Sequence, residues 1–133
     1  MTHIVLQPQG WVAPRGYANG VAAIGRTLYV AGQIGWNAKC EFESDDLVAQ
    51  VRQALANVRA VLAVGGAVPG HIVRMTWYVT DRTEYLARAS EIGAVFRELI
   101  GSYAIAMTAV EVSALMEQRA RVEIEVTAVV PIT

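Results

Sequence analysis

A chain of 133 residues, 54% apolar and only 17% charged, can bury a core as one domain, residues 1–133, without disulfide staples. Its single cysteine, Cys40, excludes an intramolecular disulfide and a cysteine-cluster metal site. Net charge is −1, the eleven basic residues are scattered and Lys39 is the only lysine, so the basic surface that nucleic-acid backbones require is missing. No apolar run approaches the ~20 residues that span a bilayer, and no basic segment leads into an apolar one at the amino terminus. The expectation is a cytoplasmic protein with neither membrane nor nucleic acid as partner. A chain this apolar carries more greasy surface than one small domain hides, which points to an oligomer interface.

The segment through Arg15 holds Pro8, Gly10, Trp11 and Pro14 and reads as an arm or irregular edge strand. Ala18 to Ile24 and Thr27 to Gly32 are apolar runs joined by Gly25-Arg26, which predicts a short hairpin. After a loop from Gly35 to Glu43, Ser44 offers an N-cap, with Asp45 and Asp46 favourable in the first turn. Leu47, Val51, Ala54, Leu55, Val58, Val61 and Leu62 then recur at helical spacing, and Gly65-Gly66 ends the helix at a left-handed cap. Ile72 to Thr80, rich in branched and aromatic residues, predicts a strand. Asp81 and Glu84 have capping-box spacing ahead of a second helix with the stripe Tyr85, Ala89, Ile92, Phe96 and Leu99. Met107 to Val112 and Arg121 to Val130 are the last two strands. In the final one Val122, Ile124, Val126 and Ala128 face one way and Arg121, Glu123, Glu125 and Thr127 the other. The order predicts an α+β fold in which both helices pack on one face of a single sheet.

These residues, in this order, resemble the YjgF/RidA family of reactive-intermediate deaminases, also known as endoribonuclease L-PSP proteins. The resemblance is carried by Gly16-Tyr17 with Gly20, Ala31-Gly32-Gln33-Ile34, Gln50 through Asn57, and Ile72-Val73-Arg74 with Tyr78 and Asp81. It continues in Val110-Glu111-Val112 and Val122-Glu123-Ile124-Glu125. It implies a chorismate-mutase-like fold: a six-stranded mixed sheet with two helices on one face, assembled as a homotrimeric barrel with clefts between adjacent subunits. In the family's deaminases an arginine three residues before Val-Glu-Val clamps the substrate carboxylate. A glutamate on the last strand is thought to position the hydrolytic water, beside a tyrosine near the amino terminus and backbone groups of a Ser-Gly-Gln strand. Tyr17 and Glu123 stand at the matching places. Met107 replaces the arginine, Ala31 the serine, and Ala89 an asparagine often found in the second helix. All three changes remove polar groups, and a thioether cannot pair with an anion.

The candidate site residues are therefore Glu123 as the catalytic carboxylate, with Tyr17, Met107, Ala31, Gly32 and Trp36 lining a binding cleft. Glu123, Tyr17 and Trp36 also have structural readings. Glu123 and Glu125 share one strand face and could be polar surface paired with Arg121 or Arg74. In a greasy cleft, by contrast, desolvation would tune Glu123 towards acid–base work near neutral pH. Glu111 reads as an inter-subunit salt bridge more readily than as a second carboxylate. Tyr17 suits either a cleft mouth or an aromatic plug, and Trp36 either a cleft wall or loop packing. Met75 and Trp77 read as core. His3 and His71 are far apart in sequence, Cys40 has no activating neighbour and Lys39 is a lone loop lysine; no metal and no cofactor are expected. The leading reading is a cofactor-independent hydrolase or deaminase-like protein acting on small, neutral or apolar molecules. The alternative is a non-catalytic trimer that binds an apolar ligand or partner in the same clefts. An endoribonuclease fits the acidic pI of about 6.1 poorly.

Overall fold

The structure, a computed structural model, describes residues 3–102 and 104–132. Strands β3 (Arg26–Ile34), β4 (Ile72–Val79), β5 (Ala106–Glu111) and β6 (Val122–Val130) form a four-stranded sheet in the order β3-β6-β4-β5. Only the β4–β5 pair is parallel. The chain crosses between those two strands through helices, as parallel neighbours require. Two short strands, β1 (His3–Leu6) and β2 (Gly20–Ala23), make a separate antiparallel ribbon. The expected six strands are present, but divided four and two.

Three sequence expectations fail for identifiable reasons. The predicted β2–β3 hairpin does not pair: β2 takes β1 as its partner, and β3 lies along β6. Between β2 and β3, Gly25 packs so closely on β6 that a Cβ there would come within 2.1 Å of the Val130 carbonyl oxygen, which pins the chain against the sheet instead of turning it back. The single second helix is two, α2 (Arg82–Ala87) and α3 (Ala89–Leu99), parted at Arg88. The Arg88 guanidinium bridges Asp46, the N-cap of α1, at 2.6 Å and Glu91 at 2.9 Å. That tether lies between elements far apart in sequence, so no local signal announces the break. The Arg88 hydrogen bond, and then the N–H of Ala49, hold the Asp46 carboxyl below its ordinary range. The cap is Asp46, whose Oδ2 accepts the Ala49 N–H at 3.0 Å, and not Ser44, whose hydroxyl instead accepts from the Asp46 N–H at 3.0 Å.

Helix α1 (Leu47–Val64) runs 18 residues and ends at Gly65, with Gly66 at φ +77° supplying the left-handed turn. By length and composition alone it could cross a membrane, yet its stripe is spent on the sheet. Leu47, Val51, Ala54, Leu55, Val58 and Leu62 are buried against Met75, Trp77, Ile124 and Val126, while Val61 is 41% exposed. The helices all lie on one face, and the alternation of β6 leaves Glu123, Glu125 and Thr127 on the other.

Gln50 is the only buried polar side chain among the described residues. Its amide donates to the carbonyls of Ser44 (3.1 Å) and Arg119 (3.0 Å), and its oxygen accepts the Arg121 N–H (2.8 Å). Asn57 likewise donates to the carbonyls of Ile34 (3.1 Å) and Trp36 (2.8 Å). The polar residues of α1 that carry part of the family resemblance thus satisfy loop backbone groups that the core would otherwise leave unpaired.

Candidate functional site

Two hollows on opposite faces of the sheet take three of the residues that the sequence singles out, Tyr17 and Met107 in one and Ala31 in the other, while Glu123 and Gly32 line neither. On the helix side, the N–H of Ala18 donates to the Ile105 carbonyl at 2.8 Å, and Ala18 bridges Ala106 in parallel. This pins Tyr17 beside the start of β5. The β4–β5 register sets Met107 opposite Met75 and Ala109 opposite Trp77, so Met107 and Ala109 point to the helical face. With Trp77 they floor a cavity of about 770 Å3 walled by Tyr85, Ala89 and Phe96, a volume typical of small-molecule sites. Tyr17 lines it and is 43% exposed. Burial pushes the Tyr85 hydroxyl pKa up, so that hydroxyl stays protonated at neutral pH. The Trp77 indole N–H is buried with no acceptor among the described residues.

On the open face, half-buried Glu123 sits opposite Tyr78 of β4 and Ile34 of β3. A Cβ on Gly32 would fall 2.1 Å from Glu123 Oε2, so glycine there lets the carboxylate lie against β3. Ala31 shares a second hollow, of about 420 Å3, with Tyr29, Arg74, Thr76 and Glu125. The Tyr78 hydroxyl donates to Glu125 Oε1 at 2.7 Å, and this bond is the main cause of the raised Tyr78 pKa. Glu125 is therefore bonded to Tyr78, and Arg121 is engaged elsewhere, with Glu84 and the Asp45 carbonyl.

Several sequence candidates take other positions. Trp36 packs on Phe42, ring centroids 5.8 Å apart, and lines neither hollow. Glu111 accepts the N–H of Arg82 at 2.7 Å and so caps the start of α2 within its own chain. His71 Nδ1 accepts the Val68 N–H at 3.1 Å, and His3 lies 3.4 Å from the Val129 carbonyl oxygen. Among the described residues no group of three or more His, Cys, Asp or Glu is placed to hold a metal. Sequence reasoning missed Gly93 and Arg97, which also line the helix-side cavity. The available signal was a glycine inside a helical stripe, four residues before an arginine.

A mixed sheet with helices on one face, a tyrosine beside β5 and a glutamate against a glycine of β3 define an α+β domain of the Rid type. The endoribonuclease L-PSP family model matches residues 11–130, and the chain belongs to this YjgF/RidA family. It is similar to the 2-iminobutanoate/2-iminopropanoate deaminase of Escherichia coli K12, at 34% identity over 85% of this chain and 86% of that one. It is also similar to the RutC family protein PM1466 of Pasteurella multocida, at 35% identity over 80% and 81% of the two chains. Among solved structures, the Rid-family protein YyfB from Yersinia pestis superposes with a TM-score of 0.86 at 34% identity, covering 98% of this chain and 100% of that one. The E. coli YjgF product superposes at 0.69 and 32% identity, covering 88% and 90%.

Proposed function

We propose that this protein is a cofactor-independent hydrolase of the deaminase kind, from a branch of the family without the carboxylate-binding arginine, working in clefts completed by a second copy of the chain. One observation carries the reading. Tyr17 and Met107 line a cavity on the helix face, whereas Glu123 and Gly32 lie on the opposite face of the same sheet. A site that uses all four needs the open face of one subunit brought against the helix-side cavity of another. The family resemblance supports a closed trimer, and a ring of identical head-to-tail contacts supplies that juxtaposition three times.

In such a cleft Glu123 takes a proton from water as the oxygen attacks the carbon of a C=N bond. The proton passes to nitrogen, and the tetrahedral carbinolamine collapses to a carbonyl compound and ammonia. Tyr17 orients the substrate, and Met107 selects against a small carboxylate held at the cavity floor. Light scattering at micromolar concentration is expected to give about three times 14.4 kDa; a stable monomer removes the composite cleft.

Glu123→Gln separates the roles open to the carboxylate. A catalytic role predicts an intact trimer, a nearly unchanged melting temperature and turnover down at least ~10-fold, about 1.4 kcal/mol. A solvated charge predicts no change in either. A structural ion pair at the interface predicts a loosened trimer, because a buried charge loses its partner. The apolar floor of the cavity, Met107, Ala109 and Trp77, favours ligand binding without turnover as the second reading. Ligand affinity that falls in Glu123→Gln, in a parent protein that turns over no imine, selects it.

A further inference from the structure

We propose that the helix-side cavity takes an organic carboxylate with an aromatic-sized apolar body, its anionic end bound at the rim by Arg97 with Arg15. The proposal rests on the reading of this cavity as the ligand site, and it names the class of ligand. Two arginines, Arg15 and Arg97, line the cavity and no aspartate or glutamate does. Among the described residues neither arginine is in an ion pair, whereas Arg52, Arg88, Arg119 and Arg121 each hold a carboxylate. Two guanidiniums without carboxylate partners on a concave, largely apolar surface whose other polar side chains are the neutral hydroxyls of Tyr17, Tyr85 and Ser102 make a site for an anion, and the planar fork matches a carboxylate.

Gly93 explains how Arg97 reaches its place. The two are one helical turn apart on α3, and a Cβ on Gly93 would lie 3.3 Å from Arg97 Nη1, so the guanidinium lies over the bare backbone of the cavity wall. Glycine is unfavourable inside a helix; here its missing side chain leaves room for the arginine head. The floor is apolar, formed by Met107, Ala109 and Trp77, and Ile92 and Phe96 of α3 add to the apolar lining. Positive charge at the rim and apolar surface below separate the two ends of the ligand. A small 2-imino acid, with its carboxylate on the reacting carbon, cannot occupy both; an arylacetate can.

Equilibrium titration of the assembled protein with phenylacetate, phenylacetamide and pyruvate, followed by NMR, tests this. The expected result is phenylacetate bound at least ~10-fold more tightly than its neutral amide or than pyruvate. Arg97→Gln should remove that preference while leaving phenylacetamide binding unchanged, and Arg97→Lys should restore part of it. Equal affinity of phenylacetate and phenylacetamide, or an Arg97→Gln protein that still prefers the carboxylate, overturns the arginine assignment and leaves the cavity reading standing. If neither aromatic probe binds, both the assignment and the cavity reading fail. A trimer that dissociates on Arg97→Gln makes Arg97 an interface residue and also overturns the proposal.

Discussion

Small 2-imino acids such as 2-aminoacrylate are expected to be hydrolysed about 30- to 1000-fold more slowly than by a relative with arginine at the Met107 position, the equivalent of about 2–4 kcal/mol of lost charged contact. Met107 is half-buried on the cavity floor, on β5 opposite Met75, and offers only a weakly accepting sulfur. Ala89, on the cavity wall, adds no donor. Semicarbazide trapping of the imine gives the rate directly. Met107→Arg should raise it at least ~10-fold, although not to the relative's level, because Ala31 and Ala89 remain. A parent rate equal to that of an arginine-bearing relative would mean that Arg15 or Arg97 reaches the reacting centre. Arg121, by contrast, is held by Glu84 and the Asp45 carbonyl outside the cavity.

Gln50→Leu is expected to destabilise the fold by about 3 kcal/mol, roughly a 100-fold change in the folding equilibrium. Leucine nearly matches glutamine in volume, so packing on α1 is conserved and the cost isolates the hydrogen bonds. The substitution strands the Ser44 and Arg119 carbonyls and the Arg121 N–H, all three of which meet the Gln50 amide. Urea denaturation should show a lower midpoint at an unchanged slope. Gln50→Glu should not rescue it, since a carboxylate can accept from the Arg121 N–H but cannot donate to two carbonyls. A loss below ~1 kcal/mol would mean that water reaches these groups and that Gln50 is not the clamp.

The two results bear on different meanings of the same sequence resemblance. Gln50 and Asn57 match the family because they close loops onto the core, whereas Met107 departs from it at the place where the ligand meets the sheet. A family match therefore supports the fold more strongly than it supports the reaction.

Periodicity alone determined the elements whose partners are near or whose two faces differ sharply. The stripe of α1, the alternation of β6 and the branched run of β4 each appear within a residue or two of their observed bounds, because one-sided burial imprints its period on the chain. Glu123 was likewise legible as facing away from the core. Local sequence could not determine choices made between distant elements. Gly25 looks like a hairpin glycine, but its close approach to Val130 sends β3 to β6. Arg88 looks like one more helical residue, but Asp46, 42 positions earlier, draws its guanidinium and marks the break between α2 and α3. The placement of Tyr17 and Met107 on one face and Glu123 on the other also depends on the β4–β5–β6 register. Register is set by the summed packing of whole strands, which no single motif encodes, and it is what makes the proposed site one that a lone chain does not contain.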